Sequence, residues 1–213
     1  VNAHSHLEYR HLQDAVPAGE YWSWIQDLRK LKDKDDPGSV EAGCRSAANE
    51  NSSYGVGLIG EHTDRPGAAD ALAATAIRSL VYQEVITFVE QLDPRQKLDL
   101  IRHRKLENER RLGADLGWAV HTLHTVDQTT IQAIAAGTDR ISVHLSETPA
   151  ENEFWIKGQG PISAMYQRNG FKSYPTGKSA VETANELGLL KRGTQAVHLC
   201  AVSDGDIDML ART

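Results

Sequence analysis

His4 and His6 are separated by one serine. In a strand, residues i and i+2 point to the same face, so both imidazoles can enter one pocket while Ser5 faces away. An isolated H-x-H says little in a chain with nine histidines, but two more imidazoles end apolar strand patterns. His144 closes ISVH, with Glu147 three residues later, and His198 closes AVH. An imidazole at the tip of an apolar strand needs a polar partner or a metal, because burying it unpaired is costly. Four imidazoles offered from three strand ends point to a shared divalent ion with His4, His6, His144 and His198 around it. Imidazole suits zinc, iron, nickel or copper. No cysteine lies near, so an open catalytic position fits better than a closed structural zinc site.

Glu147 then acquires a task. A metal lowers the pKa of bound water to roughly 7, and hydrolysis still needs a group to carry protons to the leaving atom. The competing reading is a carboxylate favoured at the start of the next helix. His121, in WAVHTLH, ends another strand and could bind or polarise a substrate, or be a satisfied buried histidine. His124 reads as loop. His11, His62 and His103 sit in polar contexts and are assigned no role. TGKS (176–179) resembles the tail of a phosphate-binding loop, but position 172 is lysine where that loop needs glycine, so Lys178 and Ser179 read as a helix start.

These residues need elements to hold them. Residues 20–31 put Trp24, Ile25, Leu28 and Leu31 at helical spacing. KDKDDPGS (32–39) reads as a surface loop and 40–53 as helix. Strands are expected over 54–63, 78–88, 117–126, 140–147 and 194–202, after a short first strand at VNAH. Helices follow from near Pro66, from Asp93-Pro94 to about 112 with Leu98, Ile101 and Leu106 inward, from Asp127, and from about 203. Residues 148–192 hold two helical pieces around GFKSYPTGKS. Six βα repeats call for a parallel sheet with helical crossovers. The histidines fall at the C-terminal ends of strands 1, 4, 5 and 6. Those ends converge in a barrel and spread apart in an open sheet, which favours an α/β TIM (β/α)8-type barrel.

The bulk numbers agree with one such domain over 1–213. The chain is 40% hydrophobic and 24% charged, with net charge -6, which argues against nucleic-acid binding and leaves a small-molecule substrate. Cys44 and Cys200 form no disulfide framework, and two reduced thiols suit the cytoplasm. Neither a membrane span nor a signal peptide is expected.

Four segments carry a family resemblance: VNAHSHLE (1–8), WAVHTLHTV (118–126), SVHLSETPAENEFW (142–155) and AVHLCAVSDGDIDMLA (196–211). In this order they resemble the strand-1, 4, 5 and 6 motifs of the amidohydrolase superfamily, in its deaminase and chlorohydrolase branch. Within that branch they look like the aminodeoxyfutalosine deaminase subgroup and, less closely, the methylthioadenosine/S-adenosylhomocysteine deaminases. The resemblance implies a (β/α)8 barrel with one divalent metal, zinc or iron. His4, His6, His144 and His198 would be ligands or near-ligands, Glu147 the proton shuttle and His121 a substrate-orienting group. The implied reaction is hydrolytic deamination of an aminated, purine-nucleoside-like ring by metal-activated water. The chain departs from the pattern in three ways. No counterpart of the strand-8 aspartate is found, since GTD at 137–139 precedes strand 5. The small β-sandwich built from residues ahead of strand 1 is missing, and the proline and tyrosine of the strand-4 motif are replaced. The expectation is therefore six of eight βα units, little activity of this chain alone, and edge strands that invite a homo-oligomer. A non-catalytic metal- or ligand-binding relative is the alternative.

Overall fold

The computed structural model of the chain describes residues 1–87 and 93–213. The expected end of the third strand at Phe88 lies outside them. Six strands form one sheet in the order β1-β2-β3-β4-β5-β6, and the pairs β1–β2, β2–β3, β4–β5 and β5–β6 are parallel. Strand order follows chain order, as consecutive βα crossovers of one hand produce. The chain divides into two compact units, residues 1–83 with 102–116, and residues 84–101 with 117–213.

The first unit begins with β1 (Asn2–Ser5) and a 3-10 turn (Leu7–Leu12). α1 (Tyr21–Lys32) follows, capped by Glu20, whose carboxylate accepts from Ser23 N at 3.0 Å. Its expected apolar residues are only half-buried. α2 (Pro37–Ser53) starts inside the stretch expected to be loop. Asp36 caps it by accepting from Ser39 N at 2.9 Å, and Pro37 sits in the first turn, where its missing N–H costs nothing. Val40, Cys44, Ala47 and Ala48 form its inward stripe. Gly43 on the same side is a close approach, because a Cβ there would lie 2.9 Å from His11 N. β2 (Leu58–Thr63), α3 (Ala68–Ala73) and β3 (Arg78–Val85) complete the run. Leu7, Ile59, Leu72, Ile77, Val81 and Leu116 close the core over α2.

α4 (Pro94–Leu112) has the expected bounds, but Leu106 is exposed. Asn108 is buried instead and donates to Gln83 Oε1 at 3.1 Å.

The second unit contains β4 (Gly117–Val120), α5 (Gln128–Gly137) and β5 (Ile141–Leu145). Asp127 caps α5 by accepting from Thr130 N at 3.0 Å, as its position in the sequence suggested. β4 stops six residues before the expected 126, because Thr125 Oγ1 gathers bonds from Thr122 and His121 into a tight turn. Between β5 and β6 (Gln195–His198) the expected two helices are three: α6 (Pro149–Lys157), α7 (Gly160–Arg168) and α8 (Ala180–Glu186). Gly158 adopts φ 67° and ends α6 with a left-handed cap, which separates α6 from α7. Ser179 caps α8 in a reciprocal box with Glu182, and Ser203 does the same with Asp206 at α9 (Asp204–Leu210). β5 is buried along its whole length. Val120, Ile131, Ile141, Leu145, Val181 and Leu189 lie at the centre of this core.

Candidate active site

In the first unit the alternation of β1 does what its sequence requires. Ser5 turns to the neighbouring strand, and its Oγ donates to Gly60 O at 3.3 Å and to Glu61 Oε2. Glu61 also accepts from Leu7 N at 2.9 Å, so one buried carboxylate pins both ends of the segment that carries His6. The rings of His4 and His6 meet edge to face, with centroids 4.9 Å apart. His62, at the end of β2, joins them. It is fully buried, and its Nδ1 lies 3.1 Å from His4 Nδ1, so one of the two nitrogens donates and the other accepts. Burial, with His4 next in weight and then Lys32, pushes the His6 pKa down to about 3, so this imidazole is neutral at pH 7, the form that ligates a metal. Glu8, two residues on, is buried and accepts from Thr63 Oγ1.

The second unit gathers the remaining sequence candidates. His144, near the end of β5, is buried, and its Nδ1 lies 2.6 Å from the carbonyl oxygen of His121. A carbonyl only accepts, so Nδ1 carries the proton and the lone pair is on Nε2, the arrangement that orients a metal-binding imidazole. The His144 ring is 5.3 Å from that of His121 and stacks on that of His198 at 5.4 Å and 27°. His198 Nε2 lies 3.6 Å from Glu147 Oε1. His121 Nδ1 is 2.9 Å from Thr125 Oγ1.

Two bends shape this cluster. Ser146, just after β5, has φ 50°, and His198 and Leu199, at the end of β6, have φ 77° and 51°. Non-glycine residues in this region cost about 1–3 kcal/mol each and persist where their surroundings over-determine them, which is common at functional sites.

Sequence reasoning missed three participants. His62 had been assigned a polar context, yet it is buried beside His4. Glu84 is buried at the end of β3, and its Oε1 lies 3.9 Å from His144 Nδ1. Glu151 is buried on the first turn of α6. The signal for the first two was present: an imidazole in GEHT and a carboxylate in VYQEV interrupt apolar strands, as His144 does. One ligand atom from each of Glu84, His121 and His144 lies within 4.8 Å of the other two. Two imidazoles and a carboxylate are a donor set that suits zinc or iron(II), so these residues fit a divalent ion.

The other histidines have local duties. His11 Nε2 pairs with Asp35 at 2.8 Å, and His103 is exposed on α4. His124 lies in the turn after β4, as its sequence context suggested, and is buried, which lowers its pKa to about 4. Its carbonyl accepts from Tyr166 Oη at 2.8 Å. Gly177 forms a turn with φ 75° ahead of the Ser179 cap, as the rejection of a phosphate loop requires.

No protein-family description matches the chain, and no curated protein sequence does. Solved structures do match. Aminofutalosine deaminase from Helicobacter pylori superposes with TM-score 0.74 at 19% identity, covering 100% of this chain and 51% of that one. An adenosine deaminase from Xanthomonas campestris with bound zinc gives 0.72 at 19%, covering 99% and 46%. Guanine deaminase from C. acetobutylicum, holding guanine in its active site, gives 0.57 at 12%, covering 99% and 51%. The chain thus spans about half the length of the solved structures it matches. Its fold is a partial TIM-barrel-like α/β fold, similar to that of these deaminases over the matched half.

Proposed function

We propose that residues 1–213 form the partial barrel domain of a metal-dependent hydrolase that removes an exocyclic amine from a purine-nucleoside-like or related heterocycle. The observation that carries this reading is the meeting of His121, His144, His198 and Glu147 at the ends of β4, β5 and β6, with rings 5.3 and 5.4 Å apart and the carboxylate 3.6 Å from His198. His144 and His198 are assigned as ligands of a zinc or iron ion, with the buried Glu84 beside His144 as the carboxylate of the set. When bound, such an ion supplies Lewis-acid activation of water at neutral pH. Glu147 takes a proton from the attacking water and gives it to the ring nitrogen next to the reacting carbon, then carries the remaining hydroxyl proton to the departing amine as ammonia leaves. His121, oriented by Thr125, hydrogen-bonds the substrate. The matched structures support the substrate class, since their names are those of aminofutalosine, adenosine and guanine deaminases, one of them in complex with methylthio-coformycin.

The test combines metal analysis with ammonia release. The purified chain, supplied with zinc or iron, should hold about one equivalent, and His144→Ala and His198→Ala should each abolish that stoichiometry. Any ammonia released from adenosine-type substrates should require metal, and the rate of this chain alone should be low. A chain that binds no divalent ion overturns the reading. The replacement of the proline and tyrosine of the strand-4 motif favours a second reading, a non-catalytic metal- or ligand-binding relative. Stoichiometric metal without turnover selects it.

A further inference from the structure

Glu151 stands out among the buried carboxylates of the second unit. It is 3% exposed, and among the described residues it pairs with no lysine or arginine. Its Oε2 accepts from Ser146 N at 3.0 Å and its Oε1 from Glu147 N at 2.7 Å. An ordinary carboxylate at a helix start is exposed and accepts from N–H groups inside the helix. Both of these donors precede α6, in the bend after β5. Burial pushes the Glu151 carboxyl up to about 7, against the opposing pull of the two N–H groups, which favour the ionised form.

The bend it holds is the strained one at Ser146, and it is tied to the strained end of β6. Leu199 N donates to Leu145 O at 3.0 Å, and Ala201 N to Ser146 O at 2.9 Å. Asn152, the next residue of α6, donates to Ala201 O at 2.8 Å and accepts from Ala180 N at 3.0 Å. The first turn of α6 therefore grips both bends, one through Glu151 and the other through Asn152. Glu147 lies between these grips, with its backbone N–H on Glu151 and its carboxylate beside His198.

We propose that Glu151 is a positioning residue whose carboxylate locks the β5–α6 bend and thereby aims the Glu147 carboxyl at His198 and the substrate. The inference rests on the reading of Glu147 as the proton carrier. It assigns Glu151 no contact with substrate and no proton transfer of its own.

The test uses the isotopically labelled full chain and nuclear magnetic resonance. In the wild type, Ser146 and Glu147 amides should exchange at least about tenfold more slowly than exposed-loop amides. Glu151→Ala should remove that protection at both positions while β5 core amides stay protected. Glu151→Gln keeps one acceptor oxygen and should retain protection at one of the two. The second readout is coupling. Glu147→Gln should shift the ring nitrogens of His198, and the shift should shrink by more than about half when Glu151→Ala is also present. Unprotected wild-type amides, or equal shifts in both backgrounds, overturn the proposal. The wild-type exchange measurement decides even if a variant fails to fold. Absent metal binding and ammonia release, with this coupling intact, would count against the functional reading and leave the Glu151 assignment standing.

Discussion

The two units fix their imidazoles by different means. In the first, direction comes from the strand itself: His4 and His6 share a face, Ser5 takes the other, and Glu61 pins the segment through Ser5 Oγ and Leu7 N. No residue from Asn2 to Leu12 has positive φ. In the second, direction comes from bends, with Ser146, His198 and Leu199 all left-handed. Each unit also buries a carboxylate that accepts backbone N–H groups after a strand, Glu61 in one and Glu151 in the other. The shared device is thus loop restraint by a buried acid, and the difference is whether the restrained backbone is relaxed or strained.

The sharpest way to break this comparison is Glu61→Ala. It strips Ser5 Oγ and Leu7 N of their buried carboxyl acceptor, and should cost about 2–4 kcal/mol in urea denaturation. A loss under about 0.5 kcal/mol would show that β1 alternation alone holds the segment.

The pH dependence of Glu151 comes next. Its folded pKa, about 7, lies above the ordinary glutamate value, so its stabilising contribution is full below the unfolded pKa and is lost as pH rises through about 7. Wild type should therefore lose about 1–3 kcal/mol relative to Glu151→Gln between pH 4.5 and 7.5. A difference independent of pH would mean that the N–H contacts outweigh burial.

Ser146→Gly has the smallest effect and the opposite sign. Glycine adopts φ 50° without the steric penalty, so the variant should gain up to about 1 kcal/mol. Ser5→Gly, made in the relaxed unit, should lose stability in the same denaturation series. Destabilisation by both would erase the contrast between the units.

What could be read from the sequence follows the same division. The H-x-H pair was legible because strand alternation is a local rule. His144 and His198 were legible as imidazoles ending apolar runs, Asp127 as a cap, and Ser179 as lying at a helix start. The bends were not legible, since serine, histidine and leucine carry no mark for positive φ as glycine does. Glu151 was hidden because a glutamate in the first turn of a helix ordinarily faces water. His62 and Glu84 were overlooked because single polar residues within strands were weighed only where they ended a run. The start of α2 was missed because Asp36-Pro37 was read as a loop breaker when it is also a cap followed by a first-turn proline.

The close contact of α2 with the turn after β1 has one more consequence. Cys44 lies one residue beyond Gly43, is fully enclosed, and has its thiol pushed up to about 12 by burial, with Glu8 and Glu61 adding to it. Cys200 is exposed. An alkylating reagent should therefore consume the surface sulfur at once and reach the other only when the first unit opens, which makes the slow phase of modification a clock for that opening, wound by the molecule's own packing.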